Sequence, residues 1–146
     1  MNRQATSTRE GAILSRRQTP EGAGSMERSI SVDEEAVRIA RLAVRERLSP
    51  YLTHAKLGDA VLLTSELVTN AVRHADLQDA DAIRLEVATQ PNAVRVTVID
   101  DGPGFDPGRI QPDRGTGGWG LKLVAVLSDR WGTQAGPHAV WFELDV

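Results

Sequence analysis

A single small α/β domain is what this sequence predicts, and three observations predict it. Apolar residues recur at helical spacing over residues 32–48 and 57–75, whereas residues 83–87 and 94–98 alternate apolar with polar. A glycine-rich stretch and a third helical pattern follow, and a last pair of strand-like segments closes the chain. A length of 146 residues fits one domain with a useful core and no need of disulfides or structural metal.

Taken in order, residues 1–26 mix Arg, Gln, Ser, Thr, Gly and Pro without apolar periodicity. Such a composition buries too little surface to offset its ordering entropy, so a flexible tail is expected, with a short strand near residues 28–30 and the domain proper over residues 27–146. Ser31-Val32-Asp33-Glu34 then has the form of a capping box, and Val37, Ala40, Val44 and Leu48 follow before Pro50. The spacing predicts a first helix over 32–48. A central helix is predicted over 57–75, through AVLLTSELVTNAVRHA, which has strong helix formers and no internal Gly or Pro. Ile83, Leu85 and Val87 alternate with charged residues, as do Val94, Val96 and Val98 with Arg95 and Thr97, and Gln90-Pro91-Asn92 between them suits a hairpin. Residues 101–120 are too rich in Gly and Pro for regular structure, and a long irregular stretch in a compact domain points to a functional loop. Helical spacing resumes over 121–127, and residues 130–135 and 139–146 read as a strand pair around Gly136-Pro137.

Composition excludes several classes. There is no cysteine, so disulfide frameworks and thiolate chemistry are out, in keeping with a cytoplasmic protein. With 17 basic against 20 acidic residues, the net charge of −3 offers no excess of cations for a phosphate backbone, and 4% aromatics makes a base-stacking platform a poor expectation. No apolar run approaches the roughly 20 residues that span a bilayer, and the amino terminus lacks a signal-peptide core. Neither nucleic acid nor membrane is an expected partner.

On the central helix, Glu66, Asn70 and His74 stand four apart and fall on one side. The opposite arc holds Val61, Leu67, Val68, Ala71, Val72 and Ala75, so the stripe is expected to look away from the contact with the sheet. A solvated stripe is the plain reading. The absence of Lys beyond Lys56, and Leu62 and Leu63 beside the stripe, argue instead for a partly covered cleft wall. The residue types suit phosphate chemistry, since a carboxylate can orient or deprotonate a nucleophile, and an amide oxygen is a hard ligand that magnesium accepts alongside substrate phosphates. His74, near the helix end, reads as structural or as a phosphate-side contact.

Two glycine boxes complete the candidate set. The apolar strand 94–99 delivers Asp100 into Asp101-Gly102-Pro103-Gly104, placing a carboxylate acceptor where glycines let the backbone approach a flat ring such as adenine. Gly115-Thr116-Gly117-Gly118-Trp119-Gly120-Leu121 leads straight into a helix, and unshielded N–H groups at a helix start bind phosphate. Neither the G-x-x-x-x-G-K-[ST] loop nor a strand followed at once by G-x-G-x-x-G is present.

The order Glu66-x-x-x-Asn70-x-x-x-His74, Asp100-x-Gly102-x-Gly104 and Gly118-x-Gly120-Leu121 resembles the GHKL (Bergerat-fold) ATPases. Within them, SELVTNAVRHA and GGWGLKLVAVLSDRWG look like the stand-alone anti-sigma factor serine kinases of the RsbW type, over roughly residues 27–146. The resemblance implies a two-layer α/β sandwich, its sheet mixed but mostly antiparallel with helices on one face. It implies ATP and Mg2+ as cofactors, with Asn70 binding the metal, Glu66 as general base and Asp100 reading the adenine amine. Gly102 and Gly104 would shape the adenine pocket, while Gly118, Gly120 and Leu121 would meet the phosphates below a lid over 105–117. None of His54, His74 and His138 stands where a histidine kinase carries its phosphoacceptor, so the resemblance points to a serine/threonine kinase acting on an antagonist protein and sequestering a sigma factor. A homodimer is also implied. The alternative is a non-catalytic module of the same fold that uses ATP as a conformational ligand.

Overall fold

The computed structural model describes residues 24–76, 82–100, 118–134 and 139–146, with side chains outside the description at 74–76 and 118–120. The elements run β1 (Gly24–Ser31), α1 (Ala36–Leu48), α2 (His54–Asp76), β2 (Ala82–Thr89), β3 (Ala93–Asp100), α3 (Gly118–Leu127), β4 (Arg130–Gln134) and β5 (Ala139–Asp145). The strands form one sheet in the order β1-β2-β3-β5-β4. Every pairing among the described residues is antiparallel, in keeping with the mostly antiparallel sheet expected. The result is an α+β fold of two layers.

Alternation along the strands builds the core. Ile83, Leu85 and Val87 of β2 pair with Asp100, Val98 and Val96 of β3, and Val96 and Val98 pair in turn with Phe142 and Val140 of β5. Successive side chains point to opposite faces, so these residues share the helix-facing side, where they join Leu63, Leu67 and Val68 of α2 and Val124 of α3 in one cluster. The hairpin turn lies as expected, closed by the Gln90 N–H donating to the Ala93 carbonyl at 2.8 Å.

Both early helix starts differ from the sequence expectation, for local reasons. The capping box at Ser31 is not used: Ser31 is the last residue of β1, paired with Ala82, and α1 begins at Ala36 after Glu35, which makes no side-chain cap bond. The Asp33 carboxylate instead accepts the Glu35 N–H at 2.8 Å and tightens the turn between strand and helix. Helix α2 starts three residues earlier than residue 57, at His54. Thr53 caps it, its Oγ1 accepting the Lys56 N–H at 3.3 Å and its carbonyl the Leu57 N–H at 2.8 Å. Strand β1 extends the possible strand near 28–30 back to Gly24, taking in residues 24–26 that read as tail.

The other face of the sheet carries ion pairs and an aromatic side chain. The Arg95 guanidinium lies 4.0 Å from the Trp141 ring centroid. Trp141 lies across Gly132, where an added Cβ would stand 2.8 Å from its Cζ2, so β4 needs a glycine there. Glu143 is only 6% exposed and is held by Arg95 at 2.7 Å and Arg130 at 2.6 Å. Burial pushes the Glu143 carboxyl upward, but the hydrogen bonds and charges of Arg130 and Arg95 outweigh it and hold the group below the usual carboxylate range.

A carboxyl with a depressed folded pKa contributes stability above its unfolded value, about 4.3, and loses it as pH falls through the folded value. Glu143→Gln is expected to lower stability at pH 7 by ~1–2 kcal/mol, the scale of charge-assisted hydrogen bonds, and to flatten the acid limb of a urea-stability profile measured between pH 7 and 3. In α2, an added Cβ at Gly58 meets nothing within 4 Å. Gly58→Ala is therefore expected to raise unfolding free energy by ~0.5–1 kcal/mol, read from urea midpoints at constant m-value.

Candidate functional site

Helix α2 is the element on which the candidate site is built. Its 23 residues contain helix formers at most positions, and Ala60, Leu63, Leu67, Val68 and Ala71 are buried along one arc. That arc packs on β3, and α3 lies alongside. At about 100° per residue, Asn70 stands only about 60° from Leu67, and Glu66 about 40° farther round. The polar stripe thus flanks the buried arc and does not oppose it, because four-residue steps drift about 40° per turn toward the sheet-facing side. Asn70 is accordingly 6% exposed, whereas Glu66 is half-buried. His74 continues the line on the helix backbone, with its side chain outside the description.

The Asn70 amide is the anomaly of this region. Its Nδ2 is fully buried and, among the described residues, has no hydrogen-bond partner. Leaving a buried polar group unpaired costs about 1–3 kcal/mol, so the residue does not stand there for stability.

Asp100 closes β3 and is 7% exposed. It pairs with Ile83 in register and, by the strand's period of two, shares the helix-facing side with Val94, Val96 and Val98. The buried amide on α2 and the strand-end carboxylate therefore belong to the same layer, between the sheet and its helices. Both are polar groups in the layer that holds the core.

Helix α3 supplies the third part. It begins at Gly118, three residues ahead of the expected resumption at 121, so Gly118 and Gly120 lie in its first turn. The first four N–H groups of an α-helix have no intrahelical acceptor and are available to an anion. Leu121 is 7% exposed and joins the core, so its side chain anchors the helix. Gly102, Gly104 and the expected lid over 105–117 lie outside the described residues.

Sequence reasoning missed a row of hydroxyls. Thr64, Ser65 and Thr69 each donate to the carbonyl four residues back, at 2.7, 2.8 and 2.7 Å. The signal was present as Ser and Thr inside a helix, where they are poor formers and either face solvent or bond back.

Among the described residues, no group of three or more His, Asp or Glu side chains converges on a metal position, and no helix is long and apolar enough to cross a membrane. A divalent ion here would be one held chiefly by substrate phosphates with one or two protein ligands.

Comparison with known proteins agrees with this geometry. In solved structures, the fold matches the RsbU and RsbW domains of Rv1364c from Mycobacterium tuberculosis, with a TM-score of 0.59 and 24% identity over 84% of this chain. This chain spans about one third of that protein, 32% of its length. It also matches a chain of the SiaB-SiaC complex from Pseudomonas aeruginosa, with a TM-score of 0.58 and 12% identity over 98% of this chain and 97% of that one. No curated protein sequence matches. The model of the histidine kinase-like ATPase domain matches residues 30–142, which takes in α1, α2, β2, β3, α3 and β4, and this chain belongs to that family.

Proposed function

We propose that the chain binds ATP with magnesium between α2, the strand end at Asp100 and the start of α3, and passes the γ-phosphoryl group to a serine or threonine of a partner protein. The observation that carries this reading is the buried Asn70 side chain, whose Nδ2 is without a hydrogen-bond partner among the described residues, in the same layer as Asp100. An amide offers a donor to a phosphate oxygen from Nδ2 and a hard ligand from Oδ1, so the group fits a metal–phosphate unit. Magnesium, when bound, neutralises charge developing on the phosphate oxygens.

The remaining residues divide the work. The Asp100 carboxylate accepts from the adenine amine, and the first-turn N–H groups at Gly118 and Gly120 receive phosphate oxygens. Glu66, half-buried one turn before Asn70, takes the proton of the attacking hydroxyl. The hydroxyl oxygen bonds to the γ-phosphorus, the bond to the bridging oxygen breaks, and ADP leaves. His74 contributes at most a phosphate-side contact.

The partners follow from likeness of fold. One neighbour carries an RsbW domain and the other was solved with SiaC. We assign this chain a small antagonist protein as phosphoacceptor and a sigma factor as the protein it sequesters, with the kinase acting as a homodimer.

Incubation with γ-labelled ATP and candidate antagonists tests the activity. Label is expected on a serine or threonine of the antagonist, and Glu66→Ala is expected to slow transfer by about 10²–10⁴-fold, the usual worth of a general base. Undiminished transfer by that variant would remove Glu66 as the base. Asp100→Asn is expected to weaken ATP binding at least about tenfold by calorimetry, close to 1.4 kcal/mol. Asn70→Leu, nearly the same shape, is expected to abolish magnesium-dependent binding while stability holds or rises by up to ~1 kcal/mol, because a buried unpaired amide is removed. A fall in the melting temperature of Asn70→Leu would show the amide to be a structural group.

A further inference from the structure

Helix α2 carries three hydroxyls turned back onto its own backbone, and none of them has a place in the phosphoryl transfer above. Thr64 Oγ1 donates to the Ala60 carbonyl at 2.7 Å, Ser65 Oγ to the Val61 carbonyl at 2.8 Å and Thr69 Oγ1 to the Ser65 carbonyl at 2.7 Å. In a helix each of these carbonyls also receives the backbone N–H of the same residue, so each accepts twice. A carbonyl in that position tilts outward and its helical bond lengthens, and hydroxyl back-bonding of this kind bends helices.

Packing does not call for these hydroxyls. Thr64 is 0% exposed, and a valine would occupy the same volume without competing for a carbonyl. Ser65 and Thr69 are half-buried, where alanine or a long straight side chain would favour the helix more.

Their placement relative to the site is regular. Ser65 immediately precedes Glu66, and Thr69 immediately precedes Asn70. The hydroxyl line therefore runs parallel to the Glu66–Asn70 line, about 100° round the helix. Longer helical bonds on the hydroxyl side would bend the helix away from that side, and the site residues, about a quarter turn round, would tilt with the bend.

We propose that the Ser65 and Thr69 hydroxyls are positioning residues, which set the direction in which Glu66 and Asn70 leave α2 and so their reach toward the metal-bound phosphates. This rests on the ATP reading above. Neither hydroxyl touches substrate. A misplacement of about 1 Å can cost ~100-fold in such sites, so the smaller shift from losing one back-bonded hydroxyl is expected to cost about three- to tenfold.

Thr69→Val tests the proposal, since it keeps the branched shape and a similar helix propensity while deleting the hydroxyl. The measurement is the dissociation constant for ATP by calorimetry, with magnesium and with chelator, beside thermal unfolding. The magnesium-supported gain in affinity is expected to fall about three- to tenfold, metal-free affinity to stay within about twofold, and the melting temperature not to drop. Thr69→Ser, which restores a hydroxyl, is expected to bind as the wild type. Ser65→Ala, with the best helix former in place, is expected to slow transfer to the antagonist while leaving ATP affinity within about twofold. Wild-type behaviour of both Thr69→Val and Ser65→Ala, an equal loss with and without magnesium, or a loss that Thr69→Ser shares would overturn the positioning role while the ATP reading stands. A wild-type chain that binds no ATP would overturn both.

Discussion

The contact between α2 and the valine face of β3 governs the rest of this molecule. Val94, Val96 and Val98 project from the strand toward Leu63, Leu67 and Val68, and all of them are buried. Burying such side chains contributes about 1.5–3 kcal/mol each. The same contact fixes which way Asn70 and Asp100 point: one stands at the flank of the buried helix arc, the other at the end of the buried strand face. The candidate site is therefore an edge of the core that has been made polar, and its geometry is inherited from apolar packing.

The region also carries features that do not add to helix stability. Among the described residues the Asn70 Nδ2 has no acceptor, and Thr64, Ser65 and Thr69 load carbonyls that already serve the helix. Each costs some stability, by desolvation in the first case and by weaker helical bonds in the others. They occur within the stretch that also holds Glu66.

The sheet's other face is built on different physics. No helix covers it among the described residues, yet its charges are matched: Glu143 sits under Arg95 and Arg130, and Arg95 also lies over Trp141. Arg130 reaches Asp145 as well, so the end of β5 is tied to the edge strand β4 through side chains. This network fastens the edge of the sheet remote from Asp100, because Arg95 and Asp100 stand at opposite ends of β3. The ion-pair network and the candidate site are thereby placed toward different ends of the same strand.

Much of this was legible in the sequence, for reasons of period and chain punctuation. Strict alternation specified β2 and β3 with their turn, 3.6-residue spacing specified the helices, and the three polar boxes specified both the family and the candidate residues. Helix starts were less legible, because Ser31 was claimed by the β1 ladder and Thr53 took up the capping role for α2. What only the tertiary structure decided was how deeply the stripe is buried, the pairing of β1 with β2 and of β3 with β5, and the union of Glu143 with two arginines distant in sequence. Those depend on which surfaces are brought together across many intervening residues, and no local periodicity encodes that; helical spacing can place Asn70 beside the apolar arc, but only packing against β3 and α3 removes it from water.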